Sequence, residues 1–139
     1  MKRAEKGFSL LELLIVVAII LIIATIAIPS LLRSRQAANE SAAVAELRTI
    51  NTAQITYLSS ASGNYGNVTQ LVSAGLLDSR FTGTLSGYSF AVTPYTGGYT
   101  ATADPVGTNG RYGYYTTPDA VIRYSTSLAP TGQGGAPVN

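Results

Sequence analysis

Sixteen residues from Leu13 to Ile28 read LLIVVAIILIIATIAI, and Thr25 alone among them is not hydrophobic. Extended back to Phe8 the stretch has 21 residues, about 31 Å of helix at 1.5 Å per residue. That matches a bilayer hydrocarbon core of about 30 Å. A helix that is apolar on every side must be covered by lipid or by other chains. Lys2, Arg3 and Lys6 precede the run. By the positive-inside rule the N-terminus stays in the cytoplasm, and everything after Pro29 emerges on the far side.

The charge follows the same division. The net charge is +2, and Lys2, Arg3 and Lys6 with Glu5 supply all of it. The remaining six arginines and six acids cancel. The sequence pI near 9.0 therefore gives no support for a nucleic-acid surface, which needs a basic patch on the folded part. Cysteine and histidine are absent. That excludes a disulfide framework, a zinc-finger pattern, a thiol nucleophile and an imidazole base.

An ordinary secretory signal also has a charged start and an apolar run. Two features argue against it. Ala24-Thr25-Ile26-Ala27 is a poor small-x-small cleavage site, and Glu12 lies inside the apolar segment. A carboxylate there costs about 2.5–3.5 kcal/mol even on permissive insertion scales, and such an acid is functional by default.

Gly7-Phe8-Ser9-Leu10-Leu11-Glu12 resembles the processing site of type IV pilins and pseudopilins. A short basic leader ends in Gly, Phe follows, and Glu is the fifth residue after the cut. The long aliphatic stretch comes next, with Pro29 at position 22 counted from Phe8. The resemblance covers about residues 1–35. It implies a cut by a prepilin peptidase between Gly7 and Phe8, and methylation of the new Phe8 amine. It also implies that Phe8 and Glu12 pair within or between subunits and set the axial register of a filament. Members of this family commonly have Gly at the position of Leu21. Here that position is aliphatic, so any helix break must begin at Pro29, which lacks an N–H.

Past the proline, residues 31–60 contain neither Gly nor Pro, and Ala is frequent. Ala43, Leu47, Ile50, Ala53 and Tyr57 recur at spacings of 4, 3, 3 and 4, one apolar stripe of an amphipathic helix. Arg33, Arg35, Glu40, Glu46 and Arg48 read as lying mostly off that stripe. The helix should end near Ser59–Gly63. Composition then shifts to Gly, Thr, Ser and Tyr. A short helix is expected over 68–74 with Gly75 at its C-terminal cap. Alternation at Tyr88, Phe90 and Val92, a Gly97-Gly98 turn, and Tyr99, Ala101 and Ala103 mark a hairpin. Residues 111–116 and 120–124 form a further pair.

The expected fold class is α+β, a long N-terminal helix packed against a small antiparallel sheet of three or four strands. The expected organisation is a leader over 1–7, a helix over 8–60 whose first part (8–30) spans the membrane or forms a filament core, a β-rich domain over 61–128, and a flexible tail over 129–139. Small domains of this size bury little core alone, so the helix stripe supplies the missing surface.

Eight of the nine tyrosines follow the helix. Strand propensity explains most of this pattern, and the Tyr-rich sheet is expected to face outward. Asn39-Glu40-Ser41 and Asn67-Val68-Thr69 match the glycosylation sequon, a short and common motif. Asp78, Asp104 and Asp119 read as solvated loop acids, with no metal or cofactor called for. No nucleophile elbow, P-loop or paired-carboxylate motif appears, so the chain is not expected to be an enzyme.

With the resemblance, the chain reads as the structural major subunit of a type IV pilus. It would be stored in the inner membrane and polymerised with copies of itself into an extracellular surface filament by an assembly platform and a cytoplasmic ATPase. The alternatives are a type II secretion pseudopilin and a membrane-tethered periplasmic binding module.

Overall fold

A computed structural model describes residues 7–125 and 135–138. Residues 1–6 of the expected leader, and 126–134 and 139 of the C-terminal region, lie outside the described residues. The chain divides into two units, residues 1–34 and 35–139.

Helix α1, Leu10–Ser60, contributes to both. In the first unit it carries the aliphatic run, and α1 continues through Pro29 without a break. Pro29 has no N–H for the carbonyl of Thr25 one turn back. The Thr25 hydroxyl donates locally to the carbonyl of Ile22 at 2.7 Å. Long side chains of this segment are open on all sides: Leu10 is 85% exposed and Ile26 73%.

In the second unit α1 contributes residues 35–60, followed by α2 (Val68–Ser73), a 3-10 helix (Ser79–Thr82) and six strands. These are β1 (Thr84–Leu85), β2 (Tyr88–Tyr95), β3 (Gly98–Pro105), β4 (Gly113–Thr116), β5 (Ile122–Ser125) and β6 (Ala136–Pro137). The strands form one antiparallel sheet in chain order, β1 to β6. The fold class is α+β. The sheet has six strands, not three or four, because β1 and β6 are two residues each, too short to show alternation.

The expected stripe is the buried face of α1. Ala43, Leu47 and Ile50 are fully enclosed, Ala53 nearly so, and Tyr57 packs beside them. They meet Leu71, Phe81, Tyr88, Phe90, Val92, Tyr99, Ala101 and Ile122 in one core. On β2 the inward residues are Tyr88, Phe90 and Val92, and on β3 they include Tyr99, Ala101 and Ala103. That is the alternation legible in the sequence. It fails on β4, where all four residues are buried.

The C-terminal region explains β4. Val138 N–H donates to the Ile122 carbonyl at 2.8 Å, and Gly135 N–H donates to the Tyr115 hydroxyl at 3.0 Å. Residues 135–138 thus lie against β5 and over Tyr115, which is 2% exposed. The flexible tail expected over 129–139 is corrected for these four residues. Ala136 and Pro137 pair with Tyr124 and Arg123, a contact that low-complexity composition does not reveal.

Helix α2 is defined at both ends. Asn67 Oδ1 accepts from Gln70 N–H, and Gln70 Oε1 accepts from Asn67 N–H, both at 2.9 Å, which completes a capping box. At the other end Gly75 has φ +71°. Its N–H donates to Val72, and Leu76 N–H donates to Leu71, both at 3.0 Å. This is the Schellman closure, in which the left-handed residue is most often Gly. The asparagine of one sequon is therefore a helix cap. Asn67→Ala should lower stability by about 1 kcal/mol, read as a shift in the urea midpoint at unchanged slope.

Candidate functional site: the uncovered helix and its anchor

Gly7, Phe8 and Ser9 precede α1 as irregular chain. The Ser9 carbonyl accepts from Leu13 N–H at 3.2 Å, starting the helical ladder. Glu12 stands in the first turn, where the helix dipole favours a negative charge. Phe8 is 76% exposed, and Glu12 is exposed as well. Among the described residues Glu12 has no ion-pair partner. From Leu10 to Leu32 the helix presents leucine, isoleucine and valine side chains around its circumference. It is long and apolar enough to cross a membrane by length and composition. An apolar surface of this extent marks a lipid or protein contact.

The second unit supplies a rigid body built on polar contacts that sequence reasoning missed. Glu40 is buried on the core side of α1, not off the stripe as expected. The spacing 40, 43, 47, 50 places it there. Burial is tolerated because Glu40 Oε1 accepts from the backbone N–H and Nε–H of Arg111, at 2.8 and 3.0 Å, and Oε2 accepts from Nη2 at 2.9 Å. Burial raises the carboxyl's pKa, but the hydrogen bonds and charge of Arg111 outweigh it and hold it below the usual value. The same pairing pushes Arg111 upward.

Deeper in the core, Asn51 Oδ1 accepts from the Tyr99 hydroxyl at 2.8 Å, and its Nδ2 donates to Thr116 Oγ1 at 3.1 Å. Gln54 donates to the Gly66 carbonyl and accepts from its N–H, at 2.6 and 3.0 Å. Polar residues at positions 40, 51 and 54 thus tie the helix to β3, to β4 and its approach at Arg111, and to the loop at Gly66. A signal existed for them, since all fall on the helical face defined by Leu47 and Ile50.

Four tyrosines belong to the interior of the second unit. Tyr88, Tyr99, Tyr114 and Tyr115 are buried, while Tyr95 and Tyr124 are exposed. Rings meet in tilted or edge contacts, as between Tyr65 and Tyr99 at 4.9 Å and Tyr112 and Tyr124 at 5.3 Å. Burial, with smaller contributions from nearby tyrosines and acids, pushes the Tyr99 and Tyr114 phenols up to about 12. Among the described residues no group of three or more acids, His or Cys is placed to hold a metal.

Two expectations follow for this unit. Arg111→Ala leaves the enclosed Glu40 carboxylate without its guanidinium and should cost about 1.5–3 kcal/mol, whereas Glu40→Gln should cost less because Arg111 can turn to water. The pH profile should fall at both ends. A phenol whose folded pKa is raised favours the folded state below the ordinary value of 10.0, and that stability is lost as pH rises towards about 12. The lowered carboxyls act oppositely. Asp119, held down to about 2 chiefly by its hydrogen bond from Arg123, and Glu40 favour the folded state above the ordinary carboxylate values, and their contribution disappears on acidification. Denaturant midpoints from pH 2 to 12 check both limbs.

Two comparisons with known proteins bear on this chain. Residues 2–28 match the prokaryotic N-terminal methylation motif. The chain is also 42% identical over 74 residues to the type IV wide pilus major component PilA4 of Thermus thermophilus. That alignment covers 53% of this chain and 56% of the relative, so it spans little more than half of that protein's length. The motif runs from the basic leader along the uncovered helix described above as far as Ile28.

Proposed function

We propose that this chain is the major structural subunit of a type IV pilus. The observation that carries the reading is the uncovered apolar half of α1, residues 10–32, directly behind the methylation motif. In this reading a prepilin peptidase cuts between Gly7 and Phe8 on the cytoplasmic side and methylates the Phe8 amine. The subunit waits in the inner membrane, where lipid covers Leu10 to Ile28. An assembly platform and a cytoplasmic ATPase then transfer it into a surface filament, where the same helices of neighbouring copies cover one another. Glu12 neutralises the Phe8 ammonium and fixes the axial register, because any other offset leaves a charge unpaired in an apolar core. Pro29 is the place where α1 can yield during packing, since one carbonyl there already lacks its partner.

The chain has no catalytic part in this scheme; its chemistry is that of being cut, methylated and packed. Intact mass and N-terminal sequencing of protein sheared from the cell surface test the reading. A chain beginning at methylated Phe8 in long surface fibres supports it. Short fibres confined beneath the surface point to a secretion pseudopilin. A soluble monomer beginning near Pro29 overturns it.

A further inference from the structure

We propose that Arg33 and Arg35 form a collar that grips phospholipid phosphates on the far side of the membrane and stops the stored subunit from sinking inward. The inference rests on the membrane-storage step of the reading above and adds a ligand to it, the phosphodiester of a glycerophospholipid.

Ion pairing singles these residues out. Arg80, Arg111 and Arg123 are each closed onto an acid of the same copy. Among the described residues Arg33, Arg35 and Arg48 are exposed and have no ion-pair partner. Two of these three stand at one level of α1, with Ser34 between them. Immediately before them come Leu31 and Leu32, the last exposed aliphatic side chains of the uncovered run. Immediately after them Gln36 is held by the second unit, its Nε2 donating to the Thr108 carbonyl at 2.8 Å. The arginines thus fill the short step between the apolar run and the first residue that protein grips.

Helix geometry gives their depth. From Glu12 to Arg33 is 21 residues, about 32 Å along the axis, against a hydrocarbon core of about 30 Å. With Glu12 at the cytoplasmic boundary, Arg33 and Arg35 fall at the headgroups of the opposite leaflet. They are about 200° apart around the helix and about 3 Å apart along it. Two cations on nearly opposite sides cannot serve one protein partner, whereas lipid surrounds a lone helix and meets both. A guanidinium takes a phosphate through two parallel N–H bonds, while its stem stays among the acyl chains. Cations are the residues kept on the cytoplasmic side, so two carried across and left unpaired call for an anion at the destination.

The grip acts in one direction. Inward movement would drag two guanidinium groups into hydrocarbon, and outward movement would not. Lys2, Arg3 and Lys6 oppose outward movement in the same way, and the cut after Gly7 removes them. The processed subunit is then held against sinking and free to leave.

Full-length protein carrying Arg3→Lys keeps six arginines, all after the apolar run. With these labelled at Cζ, it is placed in vesicles of phosphatidylethanolamine and phosphatidylglycerol. Carbon–phosphorus recoupling by solid-state NMR then reads the contact. Two arginines of six in bidentate contact dephase about a third of the signal. Adding Arg33→Lys and Arg35→Lys should abolish that fraction, and Arg48→Lys should leave it. Dephasing that survives without Arg33 and Arg35 overturns the collar. So does dephasing in vesicles of a phosphate-free glycolipid with inorganic phosphate in the buffer, which would assign the arginines to a free anion. The chain has no cysteine, so a fluorophore on Ser30→Cys, quenched by lipids brominated at graded depths, reads the stop itself. Arg33→Gln with Arg35→Gln should let the label sink by about 3 Å, the rise of two residues; an unchanged depth overturns the stop. An unaltered chain that fails to float with the vesicles overturns the storage step. A chain that inserts without phosphorus contact overturns the collar alone.

Discussion

Cells producing the Glu12→Ala chain are expected to carry no surface filaments while keeping ordinary amounts of processed protein in the membrane. The physical reason lies in the environment that assembly creates. From Leu10 to Leu32 the helix offers hydrocarbon to its neighbours, and an assembled core built from it excludes water. In the proposed filament, the ammonium that cleavage generates at Phe8 enters that core. With Glu12 it enters as a neutral pair. Without Glu12 it enters as an uncompensated charge, and breaking a buried pair in this way costs about 3–5 kcal/mol. At about 1.4 kcal/mol per tenfold, that is a factor of roughly 10² to 4 × 10³ for every subunit added. In the membrane the same change removes a costly acid from the apolar run, so storage is not impaired. Counting sheared filaments beside the mass of the membrane-held chain separates the two steps. Normal filaments from Glu12→Ala would show that the Phe8 amine finds its counter-charge elsewhere.

The largest effect on the folded unit is expected from Tyr88→Ala. Tyr88 is fully enclosed at the start of β2, against Tyr114 at 6.0 Å between ring centres. Its hydroxyl donates to the Tyr112 carbonyl at 2.9 Å. The ring thus joins β2 to the segment leading into β4, on the side where Glu40 clamps Arg111. Truncation to alanine leaves a ring-sized cavity and an acceptor without its donor, a loss of about 3–5 kcal/mol. Domains of this size have only about 5–15 kcal/mol in total. Tyr88→Phe keeps the packing and loses the hydrogen bond alone, at about 1 kcal/mol. Urea unfolding of both variants in detergent checks the order and the gap. Equal losses would mean that the hydroxyl, not the ring, holds this corner.

What the sequence reveals and what it conceals divide along physical lines. Leu47 and Ile50 are legible because a helix face repeats over several turns and apolar residues mark each repeat. Tyr88, Phe90 and Val92 are legible because a strand half-covered by a core alternates. Gly75 is legible because few residues accept its backbone conformation. For Glu40 the helical spacing marks the face, but the partner that makes burial tolerable is concealed, because Arg111 lies 71 positions later and nothing local announces it. Asn51 and Gln54 are concealed for the same reason. The strand at Ala136 is concealed because it is two residues long and exists only through its neighbour β5. The N-terminal motif stands apart from all of these. Gly7, Phe8 and Glu12 are readable in order and spacing because the methylation motif is one short contiguous stretch, residues 2–28, with Pro29 directly behind it, so nothing in the second unit is needed to read it.

The strictly sequential strand order has a kinetic consequence. Each strand of the sheet pairs with the one synthesised just before it, so most loops to be closed are short. Chains dominated by local closures cross their folding barrier quickly, because little entropy is lost before the first contacts form. Hairpins of this kind form within about 1–10 µs, and with no cysteine in the chain there is no thiol pairing to wait for. The slow event is then the return of the sheet onto residues 35–60 of α1, the one contact that must span a long stretch of chain. Refolding after a denaturant jump should therefore show early sheet signal, with protection of the α1 amides arriving last.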